Sequence, residues 1–116
     1  MKKKIICFDL DNVICKTVGK NYKNSKPILK SIKLINELYD DGYKIIVFTA
    51  RGMGKFNGNL NLVLKAYKKM TISQLKKWKI NYHNLYFGKP SYDIFVDDKA
   101  FGFKKDWQKN FKKILK

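Results

Sequence analysis

Apolar residues gather in short, nearly unbroken runs at residues 4–10, 43–49, 84–87 and 93–96. Between the runs they recur every three or four positions. Short apolar runs rich in Ile, Val, Phe and Tyr predict buried strands of a parallel sheet, and the longer spacing predicts helices. Ser25 is expected to cap a first helix with Pro27 in its first turn, and Ile28, Ile32, Ile35 and Tyr39 mark its inner face as far as Asp41-Gly42. Residues 60–70 read as a second helix. Thr71-Ile72-Ser73-Gln74 has the form of a capping box that opens a further turn or two. Phe103, Trp107, Phe111 and Ile114 predict a helix at the end of the chain. Residues 12–25 and the Gly/Asn-rich stretch 50–59 carry no periodicity and read as loops. The order β-α-β-α-β, then β and α, predicts one α/β domain over residues 1–116. It is expected to be a three-layer sandwich around a mainly parallel, Rossmann-like sheet.

Composition changes this picture little. At 116 residues, 45% hydrophobic and 15% aromatic, the chain has the make-up of one folded domain. The first apolar run is too short for a signal peptide or a membrane span. Cys7 and Cys15 lack metal-ligand spacing and read as reduced packing residues, which places the protein in the cytoplasm. The net charge is +17, from 26 basic and 9 acidic residues, and it raises nucleic acid as a partner. Yet lysine supplies all but one of the basic residues and is spread along the whole chain. Compositional bias therefore ranks ahead of dedicated nucleic-acid binding. The basic C-terminal segment likewise reads as a helix packed on the sheet ahead of one that lies on a membrane or RNA. His83 sits in a loop and reads as structural.

The scarce acids carry the chemistry. Asp9 and Asp11 close the first predicted strand, and Asp97-Asp98 close the last. The carboxyl ends of strands line the ligand crevice in open α/β sheets. Carboxylates that converge there need a cation, and an oxygen-only donor set favours Mg²⁺. Thr49 ends the second strand, followed by Ala50 and Arg51, the sole arginine. A hydroxyl and adjacent main-chain N–H groups suit a phosphate oxygen, and the planar guanidinium fork suits a phosphate or a carboxylate. Lys89, between Gly88 and Pro90, ends the third strand and offers a further positive charge.

In this order the four motifs resemble those of the haloacid dehalogenase superfamily of phosphatases. They stand as Asp9-Leu10-Asp11-Asn12-Val13, Thr49, Lys89 and Asp97-Asp98. The stretches Phe48-Thr49-Ala50-Arg51-Gly52-Met53, Phe87-Gly88-Lys89-Pro90 and Val96-Asp97-Asp98-Lys99-Ala100 look most like the small capsule-biosynthesis phosphatases of that superfamily. The resemblance spans residues 5–103. It departs from the pattern at Asn12, where glycine is usual, and at Val13, where threonine is commoner. A slightly altered first loop and retained activity are expected.

The resemblance implies that Asp9 is a nucleophile forming an aspartyl-phosphate, and that Asp11 is the acid and then the base. It implies that Mg²⁺ is held by Asp9, the Asp11 carbonyl, Asp98 and Asp97. Thr49, Ala50, Arg51 and Lys89 are then the substrate-binding residues, with Lys55 and Asn57 as further contacts. The chain has no room for a cap domain, so the site is expected to be open or to borrow a neighbouring subunit of a homo-oligomer as its lid. The expected substrate is a small phosphorylated sugar, sugar acid or polyol, in surface-polysaccharide synthesis. Two alternatives stand beside it: a phosphatase of nucleic-acid ends, and a non-catalytic binding module of the same fold.

Overall fold

The computed structural model describes residues 3–115. The first strand, β1 (Ile5–Asp9), alternates: Ile6 and Phe8 point into the core while Ile5 and Cys7 stay exposed. A short antiparallel pair follows, β2 (Cys15–Lys16) with β3 (Lys26–Pro27). Helix α1 (Leu29–Asp40) buries Ile32, Leu34, Ile35 and Leu38, the positions that a 3.6-residue period places on one face. It ends as expected at Asp41-Gly42, where Gly42 takes φ 95°, a conformation that glycine adopts without penalty. Strand β4 (Lys44–Thr49), helix α2 (Leu60–Lys77) and strand β5 (Asn84–Phe87) complete the central unit.

β4 lies in the middle of a three-stranded parallel sheet, ordered β1-β4-β5. The register pairs Asp9 with Phe48 and Thr49 with Phe87. All three strands thus end on one edge of the sheet, which is what places the site. Helix α3 (Gln108–Phe111) and a 3₁₀ turn (Lys112–Leu115) close the chain. Trp107 and Phe111 are buried against Phe8, with ring centroids 6.3 and 5.8 Å away. Aromatic pairs at these separations gain packing beyond simple burial.

Four expectations about the elements need correction. Ser25 does not cap α1: the N-cap is Ile28, without a side-chain bond, because the Ser25 hydroxyl lies 2.6 Å from that of Thr17. Pro27 correspondingly belongs to β3. Thr71 opens no new helix, since α2 runs straight through it from an N-cap at Asn59. The C-terminal helix is shorter than its periodicity predicts, because Asp106 takes φ 60° and stops helical geometry before Trp107. Phe103 and Ile114 are left exposed. The fourth strand, at 93–96, is not formed, and Ile94 and Val96 stand 83% and 91% exposed. The segment has strand-forming residues but finds no ladder partner among the described residues, and β1 therefore forms an edge of the sheet.

The C-terminal turn is tied to α1 by a bond of 2.7 Å from Lys112 Nζ to Glu37 Oε2. That bond holds the Glu37 carboxyl below its ordinary value of 4.5. A depressed folded-state value stabilises the fold above the unfolded carboxylate range, and the contribution is lost as pH falls through the folded value. Wild-type protein and Glu37→Gln are expected to differ in thermal midpoint at neutral pH and to converge on acidification below 4.5. An unchanged difference down to the acid limit refutes the linkage. Both side chains are well exposed, so the effect is small.

Candidate functional site

Asp9 ends β1 and Lys89 follows β5, and the sheet brings them together across β4. Lys89 Nζ lies 3.3 Å from Asp9 Oδ2, while the other carboxylate oxygen accepts the Leu10 N–H at 2.8 Å. Thr49 lies between them in strand order. Its carbonyl accepts the Lys89 N–H at 3.2 Å, and its hydroxyl accepts the Arg51 N–H at 3.1 Å. Gly88 makes the turn with φ 102°. The rings of Tyr92 and Phe95 each lie 5.4 Å from Lys89 Nζ, so the segment after β5 folds beside the ammonium.

Burial pushes the Asp9 carboxyl above its ordinary range, against the pull of the neighbouring Lys89. Burial also acts to lower Lys89, but Tyr92 and Asp9 outweigh it and hold the ammonium above its usual value. The pair is therefore an ionised lysine beside a carboxylate whose charge is incompletely solvated. The Asp9 side chain is 35% exposed and remains reachable from solvent.

Asp11 points elsewhere. Its carboxylate accepts both Arg51 Nε (3.0 Å to Oδ2) and Arg51 Nη2 (2.9 Å to Oδ1). The expectation that Arg51 contacts substrate is corrected here: its side chain is 0% exposed and its donors turn inward. Nη1 donates to Thr71 Oγ1 at 3.1 Å and to Gln74 Oε1 at 2.6 Å, and the guanidinium lies 5.0 Å from the Tyr22 ring centroid. A guanidinium out of water requires this complete set of acceptors. Gly52, next in the chain, has φ 77°, and an added Cβ there would stand 2.7 Å from the Tyr67 ring. Backbone conformation and space together demand glycine. Lys55 and Asn57 lie exposed on the same loop.

Asn12 adopts φ 68°, a left-handed conformation that asparagine tolerates better than most residues, and its side chain accepts the Thr17 N–H at 3.2 Å. The loop expected to want glycine is thus held by a residue able to take the same shape. His83 is structural: its Nδ1 accepts the Ile45 N–H at 3.0 Å and its ring stacks on Tyr39. Cys15 is buried as expected, whereas Cys7 is not.

Asp97 and Asp98 are not drawn in. Both are exposed in the irregular segment where a strand was expected. Among the described residues no group of three or more His, Cys, Asp or Glu side chains is placed to hold a metal. The expected four-carboxylate cluster is therefore not assembled, because the strand that would carry its second half is unpaired. The donors still suit a hard cation in kind. They are oxygen-only, and Asp97 and Asp98 form no ion pair with any described residue of this lysine-rich chain. An apolar groove of about 260 Å³ lies apart from these residues, between α2 and β5, lined by Leu60, Leu64, Ile72 and Leu85.

Sequence reasoning missed the residues that support Asp11, namely Thr17, Ser25, Thr71 and Gln74. One signal was available: Thr71 falls on the apolar stripe of α2, eight residues after Val63 and four before Leu75. A polar residue on such a stripe needs a buried partner.

No family model and no curated protein matches the chain. Two solved structures resemble it. A structural-genomics target from Vibrio cholerae has a TM-score of 0.79 at 24% identity, covering 96% of this chain and 98% of that one. A chain of the Pnkp1/Rnl/Hen1 complex has a TM-score of 0.56 at 21% identity, covering 84% of this chain and 31% of that one. At these identities the likeness shows a shared α/β fold. No described helix is long and apolar enough to cross a membrane.

Proposed function

We propose that the chain is a phosphatase of the haloacid dehalogenase superfamily, a Mg²⁺-dependent phosphomonoesterase acting on a small phosphorylated sugar, sugar acid or polyol. The observation that carries the reading is the Asp9–Lys89 pair at 3.3 Å, set at or just past the ends of the two strands that flank β4, with Thr49 between them. A reachable carboxylate beside a fixed ammonium is what an attack on a phosphate monoester requires. The carboxylate supplies the nucleophile, and the ammonium offsets the charge of the phosphoryl oxygens. In this mechanism an Asp9 oxygen bonds to phosphorus and the ester P–O bond breaks. The leaving oxygen departs with its electron pair and takes up the proton that Asp11 gives as the acid. Water then attacks the phosphorus, its proton passes to Asp11, and the acyl phosphate bond breaks to release phosphate and restore Asp9.

Asp9, the Asp11 carbonyl, Asp97 and Asp98 are the residues that would hold Mg²⁺. When bound, the ion would supply positive charge to offset that of the phosphoryl group. Thr49, Ala50 and Lys89 would line the phosphoryl position. The surface-polysaccharide role, the cytoplasmic location and a neighbouring subunit as lid belong to the same reading.

The net charge of +17 favours a second substrate for the same chemistry, a phosphorylated nucleic-acid end. Purified protein with Mg²⁺ is expected to release phosphate from an aryl phosphate, to lose that activity with EDTA, and to prefer sugar phosphates over 3′-phosphorylated oligonucleotides at moderate salt. The reverse preference selects the second substrate. No release from any substrate leaves only a binding module of this fold.

A further inference from the structure

Arg51 stood out as the sole arginine, and its burial excludes the substrate role expected for it. The Asp11 carboxylate that it grips is loaded unequally. Oδ1 accepts from Arg51 Nη2 at 2.9 Å, Arg51 Nε at 3.2 Å, Thr17 Oγ1 at 2.6 Å and Cys15 Sγ at 3.5 Å. Among the described residues Oδ2 accepts only from Arg51 Nε, at 3.0 Å. A carboxylate oxygen has two lone-pair sites, so Oδ1 is saturated and Oδ2 keeps one site open. The side chain of Asp11 is 19% exposed, so the carboxyl group as a whole keeps some access to solvent.

We propose that Arg51 is a positioning residue that fixes the rotation of the Asp11 carboxylate, so that Oδ2 alone handles the proton. The inference rests on the phosphatase reading and deepens it. The terminal torsion of an aspartate is broad and roughly two-fold, so an ungripped carboxylate turns freely. A planar fork stops that turning, whereas a single ammonium fixes one contact and no plane. The fork is itself immobile. Nη1 is held by Thr71 and Gln74, Nη2 also reaches Ser25 Oγ at 3.4 Å, and Gln74 Nε2 is anchored on the Tyr22 carbonyl at 2.7 Å. Helix α2 and the 12–25 connector thus act on the reaction through one side chain.

The two half-reactions depend differently on this oxygen. With 4-nitrophenyl phosphate the leaving group needs little help from an acid, so transfer of the phosphoryl group to Asp9 proceeds without Asp11. Breakdown of the aspartyl-phosphate needs a base for the attacking water. Arg51→Lys is therefore expected to lower kcat about 100-fold and KM with it, leaving kcat/KM little changed. Acid-quenched protein is expected to carry more phosphoryl on Asp9 than wild type, read by intact-protein mass. Thr17→Val, which removes one bond to Oδ1, is expected to move both readings the same way by a smaller factor, and it stands in should Arg51→Lys fail to fold. Because the chain has one arginine, its Nε–H gives a single ¹H–¹⁵N signal. That signal is expected to exchange slowly in wild type and faster in Asp11→Asn.

A merely structural Arg51 would lower kcat and phosphoryl-protein together. That result, or an Nε proton that exchanges as freely as in a peptide, overturns the inference while the phosphatase reading stands. An inactive wild-type chain that never takes up phosphoryl overturns both.

Discussion

Asp9→Asn is expected to reduce phosphate release by about 10⁴-fold or more, the scale seen when a covalent nucleophile is removed. Asparagine keeps the size of the side chain and its bond from the Leu10 N–H, and removes only the charge and the attacking oxygen. The substitution leaves Lys89 without its carboxylate partner at 3.3 Å. Lys89 is only 12% exposed, so some loss of stability accompanies the loss of activity. A thermal melt separates the two effects. Folded Asp9→Asn protein that still releases phosphate at a rate within tenfold of wild type would end the assignment of Asp9 as nucleophile.

The second large effect concerns stability. Asp11→Ala removes the carboxylate from a guanidinium that has no exposure to water. Breaking a buried pair from one side typically costs about 3–5 kcal/mol, because the surviving charge has nowhere to go. For a domain of this size that corresponds to a fall in melting temperature of roughly 10 °C or more. Asp97→Ala is the control: its side chain is exposed and accepts only the nearby Lys99 N–H, so the change is expected within about 0.5 kcal/mol. Urea or thermal unfolding of the two variants checks the contrast. Equal stabilities would mean that Arg51 is satisfied without Asp11.

The sheet was legible because its strands are short, apolar and closed by turn residues. β1, β4 and β5 fall where those runs predicted, and α1 where its three-to-four spacing predicted. The fourth run had a similar make-up but has no ladder partner among the described residues. Pairing depends on a neighbour across the ladder, and strand propensity carries no information about that neighbour. At Thr71-Ile72-Ser73-Gln74 local chemistry pointed to a cap, while tertiary structure used Thr71 and Gln74 to receive Arg51. Ser25 was misread for the same reason.

The site was half readable. Asp9 and Thr49 each end a strand and Lys89 lies two residues past the end of another, and three parallel neighbours necessarily bring those ends to one edge. The rarity of Arg51 marked it correctly as special. Which way it faced depended on acceptors spread from Asp11 to Gln74, and no linear motif joins those positions.

A third of the Asp9 side chain faces bulk solvent. Under the proposed chemistry, a phosphoryl group parked there sits in a doorway, with the most abundant acceptor in the cell always within reach. Donation to a second metabolite would demand that water be shut out. A site built this way therefore favours hydrolysis over group donation.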